Sequence, residues 1–139
     1  MRMKPSLNFS DAQRIMESCL KSAGQLGASV SVSVTDDAGN LLHFCRMDGA
    51  RSHTIDRATQ KARIAASVGV TTGMIEEMYK NNPISAQPGF PGRGGVPLLF
   101  EGECAGGIGV SGSIPEIDET IANFGAESLL SANIATPGQ

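Results

Sequence analysis

The fold is decided by the stretch VSVSVTDDAGNLLHFCRM, residues 30–47. Apolar and polar residues alternate strictly over residues 30–35, a pattern that predicts a β-strand with one face buried. Residues 36–40 are Asp, Asp, Ala, Gly and Asn, which favour a turn. Residues 41–47 return with a second run of apolar side chains. The stretch therefore predicts a β-hairpin, with one face of its second strand formed by Leu42, Phe44 and Arg46.

A second hairpin is predicted further along the chain. Residues 96–100 and 105–110 have the composition of strands, and Glu101-Gly102-Glu103 joins them as a turn. Apolar residues at helical spacing predict helices around the two hairpins. A capping box formed by Ser10 and Gln13 marks the start of the first helix. The other helices are predicted from Ser52–Thr54 to about Val68, over 74–79, and after residue 113.

These elements follow the order α-β-β-α-α-β-β-α. That order predicts an α+β fold in which an antiparallel sheet of two hairpins is covered by helices. The length of 139 residues fits one domain over residues 1–139. We expect its core to span about 7–130 and the segment 132–139 to form a flexible tail.

Charge and composition exclude several classes of partner. The net charge is -3 and the chain has one Tyr and no Trp, so neither nucleic acid nor an acidic membrane is expected to bind. Residues 1–8 contain no apolar segment of the kind found in a secretory signal. The three cysteines are odd in number and widely spaced, which favours reduced thiols. We therefore expect a cytoplasmic protein, and export after removal of an earlier signal is the alternative.

The segment 80–95 has no regular period. Proline and glycine recur through it, at positions 83, 88, 89, 91, 92, 94 and 95. A loop of this length in a compact domain is usually functional or mobile. The alternative is a covering loop that only seals the core, and the sequence favours neither.

Three ordered motifs resemble those of one protein family. The first is Arg46-Met47-Asp48-Gly49-Ala50, followed by Thr54-Ile55-Asp56 and Lys61-Ala62-Arg63. The second is Gly94-Gly95-Val96-Pro97-Leu98. The third is Gly106-Gly107-Ile108-Gly109-Val110-Ser111-Gly112, with Asp118 after it. From Leu7 to Leu130 the chain resembles the GlcG/HbpS family, which is described as haem-binding or haem-degrading and is related to the C-terminal domain of PduO-type corrinoid adenosyltransferases.

The resemblance implies a profilin-like fold and a homo-oligomer. It also implies haem or a corrinoid-related ligand, as in some members of the family, so haem is a candidate cofactor by resemblance. It does not imply one reaction, because a fold and a family do not determine a site.

His53 is the sharpest candidate for chemistry. It lies at the predicted start of the second helix, where a histidine can bind a haem iron as a metal ligand or act as an acid or base. The alternative is an exposed histidine at a helix cap. The other histidine, His43, lies in the middle of a predicted strand, where we favour a structural role.

Arg46 is a candidate anchor for a substrate carboxylate or a haem propionate. In that case Asp48 or Asp56 would assist His53 in proton transfer. The alternative is an internal ion pair of Arg46 with Asp48 or Asp56, which would fix the corner between strand and helix.

Lys61 lies within the first family motif. A buried lysine can become a base or form a Schiff base. The alternative is that the charged run over residues 56–63 is a solvated helix face, which is the usual reading of such a run.

Two segments could hold an anion on backbone amides. Gly94-Gly95-Val96 would bring bare backbone close to a ligand. Ser111 and Gly112 precede a predicted helix, whose N-terminus favours anions. The alternative is tight packing, which we expect to explain Gly106, Gly107 and Gly109.

Three hypotheses for function follow. The first is a small-ligand-binding protein, with haem or a related tetrapyrrole as the ligand that the resemblance implies. The second is a cofactor-independent isomerase, hydratase or lyase for a small carboxylate metabolite, with Arg46 as anchor and His53 as acid or base. The third is a structural homo-oligomer that assists a neighbouring enzyme or sensor. We prefer the first, because it needs the fewest residues to be placed correctly.

Overall fold

The predicted order of helices and strands is confirmed. A computed structural model describes residues 1–135, with side chains as far as residue 130. Its elements are α1 Phe9–Gln25, β1 Ser31–Asp36, β2 Leu41–Arg46, α2 His53–Val68, α3 Thr72–Asn81, a short 3₁₀ helix Pro83–Ser85, β3 Gly95–Phe100, β4 Glu103–Ser111 and α4 Pro115–Ala135. The predicted tail is helical as far as Ala135, and its remainder, 136–139, lies outside the described residues.

The start of α1 differs from the prediction. The capping box is formed by Asn8 and Asp11, not by Ser10 and Gln13. The Asn8 side chain accepts a hydrogen bond from the Asp11 amide at 2.8 Å, and the Asp11 side chain accepts one from the Asn8 amide. The helix therefore begins at Phe9, which places Ser10 inside its first turn, where a cap is no longer needed.

The two hairpins form one antiparallel sheet of four strands in the order β2-β1-β4-β3. β1 and β4 join the hairpins at the centre, with Ser31 opposite Ser111 and Val34 opposite Ile108. This register brings the end of β4 beside the start of β1, where the chain turns toward α4.

Both faces of β1 are buried, whereas the alternation predicted only one. α1 covers the face of β1 that carries Val32 and Val34, with α4 beside it on β3 and β4, and α2 covers the other face. The polar side chains on that second face bond to α2 instead of water. Ser31 Oγ lies 2.8 Å from Thr54 Oγ1, and Ser33 Oγ lies 2.8 Å from Thr59 Oγ1. Small hydroxyl side chains can be buried in this way because each has a partner.

Glycines let α2 lie directly on β4. A Cβ at Gly107 or Gly109 would run into the carbonyl oxygens of Ala62 and Ala58, and a Cβ at Gly106 would run into that of Thr35. The expected role of these three glycines in tight packing is therefore confirmed. Close contact between α2 and β4 brings the side chains on one edge of α2 across to the end of β4. Within the described residues, no helix is long and apolar enough to cross a membrane.

Candidate functional site

A cleft of about 370 Å³ opens beside the first half of α2. The segment 91–93 and the turn from β4 into α4 form its other walls. Its lining includes four cationic side chains, one histidine and two carboxylates: Arg51, Arg57, Lys61, Arg93, His53, Glu76 and Asp118. We call it the basic cleft, because cations outnumber carboxylates.

Three of these side chains come from a single edge of α2. His53, Arg57 and Lys61 recur every four residues, so they lie one above another on the same helix face. His53 is exposed at the first turn, and Lys61 is buried two turns further along. Ser52, which precedes the helix, makes no side-chain cap hydrogen bond. The start of α2 therefore adds the positive end of its dipole to the cleft.

Lys61 and Asp118 lie together at the floor of the basic cleft. Each is only 3% exposed. Lys61 Nζ donates a hydrogen bond to the Val110 carbonyl oxygen at 2.8 Å and lies 3.6 Å from Asp118 Oδ2. Asp118 Oδ1 accepts a hydrogen bond from the Ser113 amide at 2.9 Å. The pair thus joins α2 to the end of β4 and to the first turn of α4.

Burial shifts both pKa values of this pair toward the neutral forms. Loss of water lowers the pKa of Lys61, and the Asp118 carboxylate opposes that shift. Loss of water also raises the pKa of Asp118, opposed by the Ser113 amide and the Lys61 ammonium. The two groups therefore hold charge less readily here than they would in water.

The first glycine segment packs over the pair instead of lining the cleft. A Cβ at Gly94 would lie 3.0 Å from Lys61 Nζ and 3.2 Å from Asp118 Cβ. The Gly95 amide donates to Thr72 Oγ1 at 2.8 Å, so it is already used within the fold. Val96 is buried in β3. Close packing thus accounts for Gly94, Gly95 and Val96, and the predicted amide cradle is not formed by Gly95.

Ser111 and Gly112 do line the basic cleft. The turn that follows them already binds a carboxylate of the protein, because the Ser113 amide donates a hydrogen bond to Asp118 Oδ1. The sequence places Asp118 in the third family motif, yet its role as the occupant of this turn becomes visible only in three dimensions.

Arg93 is a site residue that the sequence does not single out. It is the one arginine in the segment 80–95. Its guanidinium lies 3.6–4.0 Å from four carboxylates of α3 and α4, those of Glu76, Glu77, Glu116 and Glu119. These contacts fasten the end of the long loop across one side of the basic cleft.

The other predicted residues lie outside the basic cleft. Arg46 Nη1 donates to the Ala50 carbonyl oxygen at 2.9 Å and forms neither of the predicted ion pairs within the described residues. Asp48 and Asp56 are exposed and do not line the cleft. The structure therefore brings His53 together with Arg51 and Arg57, and does not bring it to Arg46 as an anchor.

His43 has a different environment. Its ring stacks on Phe9 with centroids 6.0 Å apart and an interplanar angle of 22°. This contact agrees with a structural role. Among the described residues, no group of three or more His, Cys, Asp or Glu side chains is placed to hold a metal ion.

A second cleft of about 420 Å³ lies between α2, α3 and the segment 87–91. Its lining is mostly apolar and includes Ile64, Val68, Ile75, Tyr79, Phe90 and Pro91. Tyr79 and Phe90 pack edge to face with centroids 5.1 Å apart. We call it the apolar cleft. The sequence does not predict it, because Phe90 lies in a segment without period and meets α3 only in the fold.

The chain is similar in sequence to a known protein family. Residues 7–127 match the family model described as "Haem degrading protein HbpS-like". Protein GlcG of Escherichia coli K12 is 33% identical over 114 residues, covering 80% of this chain and 85% of GlcG. The resemblance drawn from the three motifs is therefore confirmed.

Solved structures agree with this match. A double mutant of Streptomyces reticuli HbpS superposes with a TM-score of 0.82 and 29% identity, covering 91% of this chain and 89% of that one. A PduOC:heme complex superposes with a TM-score of 0.78 and 26% identity, covering 88% and 94%. The fold, the sequence match and its coverage agree, and the chain belongs to the HbpS-like family.

Proposed function

We propose that this protein binds a small organic anion in the basic cleft. One observation carries the proposal, namely that unpaired cations converge there. Of the two carboxylates in the lining, Asp118 faces Lys61 and Glu76 faces Arg93. Neither Arg51 nor Arg57 has an acidic partner among the residues that the structure describes.

Two guanidinium groups without partners suit a carboxylate or a phosphate. Arginine donates in a planar fork that matches both of these groups. The N-terminus of α2 favours negative charge at the same place. Because the volume of about 370 Å³ is near the lower end for ligand sites and the lining has no large apolar side chain, the ligand is small and polar.

Thermal unfolding with a panel of anions tests this proposal. Small mono- and dicarboxylates and inorganic phosphate should raise the melting temperature, whereas the matching amides should not. Comparing the shift produced by the carboxylates with that produced by phosphate shows which of the two kinds of anion the cleft binds. If none of these anions raised the melting temperature, the proposal would be wrong.

The double variant Arg51→Gln/Arg57→Gln should weaken binding about tenfold for each charge-assisted hydrogen bond lost. The pair Arg14→Gln/Lys21→Gln is the matched control, because it removes two positive charges from α1, on the opposite side of the sheet. Equal binding by the control and by the double variant would show that the anion binds elsewhere.

Haem binding is the second candidate, favoured by the family description, which names haem, and by the similarity to PduOC, which was solved as a haem complex. The basic cleft fits only part of a haem. Arg51 and Arg57 suit its propionates and exposed His53 suits its iron, but the lining gives no apolar wall for the macrocycle. Binding of a small organic anion in the basic cleft therefore does not require haem.

A haemin titration separates this second candidate from the first. If His53 binds the iron, the Soret shift should disappear in His53→Ala and remain in His43→Ala. Identical spectra for the two variants and the unmodified protein would rule out His53 as the ligand.

A further inference from the structure

We propose that Lys61 is an amine nucleophile that forms a Schiff base with the carbonyl carbon of a small 2-oxo acid. This inference rests on the proposed function, because the carboxylate of the 2-oxo acid would occupy the basic cleft. It assigns chemistry to a buried lysine that anion binding alone does not use.

The surroundings of Lys61 Nζ suit a neutral amine. Such an amine has two N–H groups and one lone pair. The Val110 carbonyl oxygen takes one N–H at 2.8 Å, and the Asp118 carboxylate, 3.6 Å from Nζ, can accept the proton that the ammonium gives up. Gly94 has no side chain, so only its backbone lies beside Nζ. Since Lys61 also lines the basic cleft, the lone pair can point into it.

Burial lowers the pKa of Lys61 although the neighbouring charges on balance oppose that shift. Burial is the largest cause that lowers its pKa, and Arg57 lowers it further, while Asp118 and Glu76 oppose the shift. A lowered pKa increases the fraction of amine that is neutral and therefore nucleophilic.

The spacing along α2 fits a carboxylate next to a carbonyl. Arg57 and Lys61 are four residues apart on one helix face, which is a rise of about 6 Å. A carboxylate held at Arg57 would therefore have its adjacent carbon on the side of Lys61. A 2-oxo acid is the simplest molecule with a carboxylate and a reactive carbonyl on neighbouring atoms.

The reaction needs no oxidant or reductant. The lone pair of Nζ attacks the carbonyl carbon, the carbonyl oxygen gains a proton, and the nitrogen loses one, which gives a carbinolamine. The hydroxyl then leaves as water with a second proton while the nitrogen loses its remaining one, so a C=N bond replaces the C=O bond. Asp118, 3.6 Å from Nζ, is the group placed to accept and return these protons.

Reductive trapping in the unmodified, full-length protein tests the inference. Pyruvate is the probe, and sodium cyanoborohydride reduces any Schiff base to a stable amine that peptide mapping can locate. The chain has four lysines, so Lys4, Lys21 and Lys80 are internal controls. At about pH 7, Lys61 should be modified at least about tenfold more than any of them, because a carboxylate bound in the cleft holds the carbonyl beside Nζ.

Two control ligands complete the experiment. Acetone has the carbonyl without the carboxylate and should modify Lys61 far less than pyruvate does. Propionate has the carboxylate without the carbonyl and should compete with pyruvate for the cleft. Lys61→Gln should abolish the trapping, and the map of the unmodified protein decides the question even if that variant does not fold.

The two proposals can fail separately. If propionate stabilises the protein but pyruvate modifies Lys61 no more than the surface lysines, the Schiff base is wrong and anion binding stands. If no anion of the panel stabilises the protein and no selective trapping is seen, both are wrong.

Discussion

Lys61 and Asp118 place opposite charges together where water hardly reaches them. Each charge depends on the other, because a buried charge without a partner is costly. The Val110 carbonyl oxygen and the Ser113 amide complete the polar contacts of the pair. The pair is therefore expected to determine how this corner of the fold responds to mutation and to pH.

The variant Asp118→Asn should lose about 3 kcal/mol of unfolding free energy near neutral pH, because it leaves the Lys61 ammonium buried without a countercharge. Asparagine keeps an oxygen that can accept from the Ser113 amide, so the lost charge is the main change. Urea unfolding measures the loss. An unchanged midpoint would mean that the two charges do not stabilise each other.

The same variant should regain stability as the pH rises toward 10.5, the ordinary pKa of lysine. The pKa of Lys61 is lowered in the folded protein, and loss of Asp118 lowers it further. Between the folded and unfolded pKa values the unfolded chain binds one more proton, so the free energy of unfolding increases with pH. Urea midpoints measured from neutral pH upward give the profile, which must rise with pH.

At the scale of elements, the contact between α1 and α4 is close because a glycine lies at it. Gly125 in α4 faces Cys19 of α1, and a Cβ there would meet Cys19 Sγ and lie 3.1 Å from Ile108 Cδ1. Burial raises the pKa of the Cys19 thiol to about 12, opposed by a hydrogen bond with the Gly125 backbone. The contact between α1 and α4 is therefore buried, and a Cβ at Gly125 does not fit into it.

Gly125→Ala should destabilise the protein by about 1–3 kcal/mol, because overpacking outweighs the better helix propensity of alanine. Gly24→Ala in α1 is the matched control, since a Cβ there meets nothing within 4 Å. The control should be stabilised by up to about 1 kcal/mol. Thermal or urea unfolding of the two variants compares them, and equal effects would contradict the tight contact.

Arg93 connects the segment before β3 to α3 and α4. Replacing it in Arg93→Gln removes the cation that faces carboxylates of α3 and α4. Amide hydrogen exchange over residues 86–93 should then become faster, while exchange in β1 and β4 stays unchanged. Equal protection of the segment in both proteins would show that its proline and glycine residues hold it without Arg93.

For the whole molecule, the sequence predicts the order of elements because strands and helices have different periods and glycine and proline mark the turns. It does not predict that both faces of β1 are buried, since a strand with Ser at alternate positions looks solvated on one side. Hydroxyl pairs with α2, such as Ser31 with Thr54, explain the difference. Contacts between layers join residues that are far apart in the chain, so the local sequence pattern does not predict them.

The candidate site could be predicted only in part, for the same reason. The sequence identifies His53 and Lys61. Arg57 falls in a run that is typical of a solvated face, although its spacing of four from both of them would have grouped the three residues. Arg93 and Asp118 join the site only because segments far apart in the chain meet there, whereas Arg51 lies two residues before His53.

Charge is distributed unevenly over the molecule. The net charge is -3, yet the basic cleft is positive. Attraction of an anion is therefore local and acts over a short range. Raising the salt concentration from about 20 to about 200 mM should weaken propionate binding several-fold, because exposed arginines are screened. Calorimetric titration at the two salt concentrations measures this, and an affinity that does not change would point to apolar contacts instead.

Pro91 lines both the basic cleft and the apolar cleft. The two cavities thus share Pro91 as part of their walls. A molecule that displaced Pro91 on entering one cavity would change the shape of the other, and its effect on affinity would be the same factor in both directions.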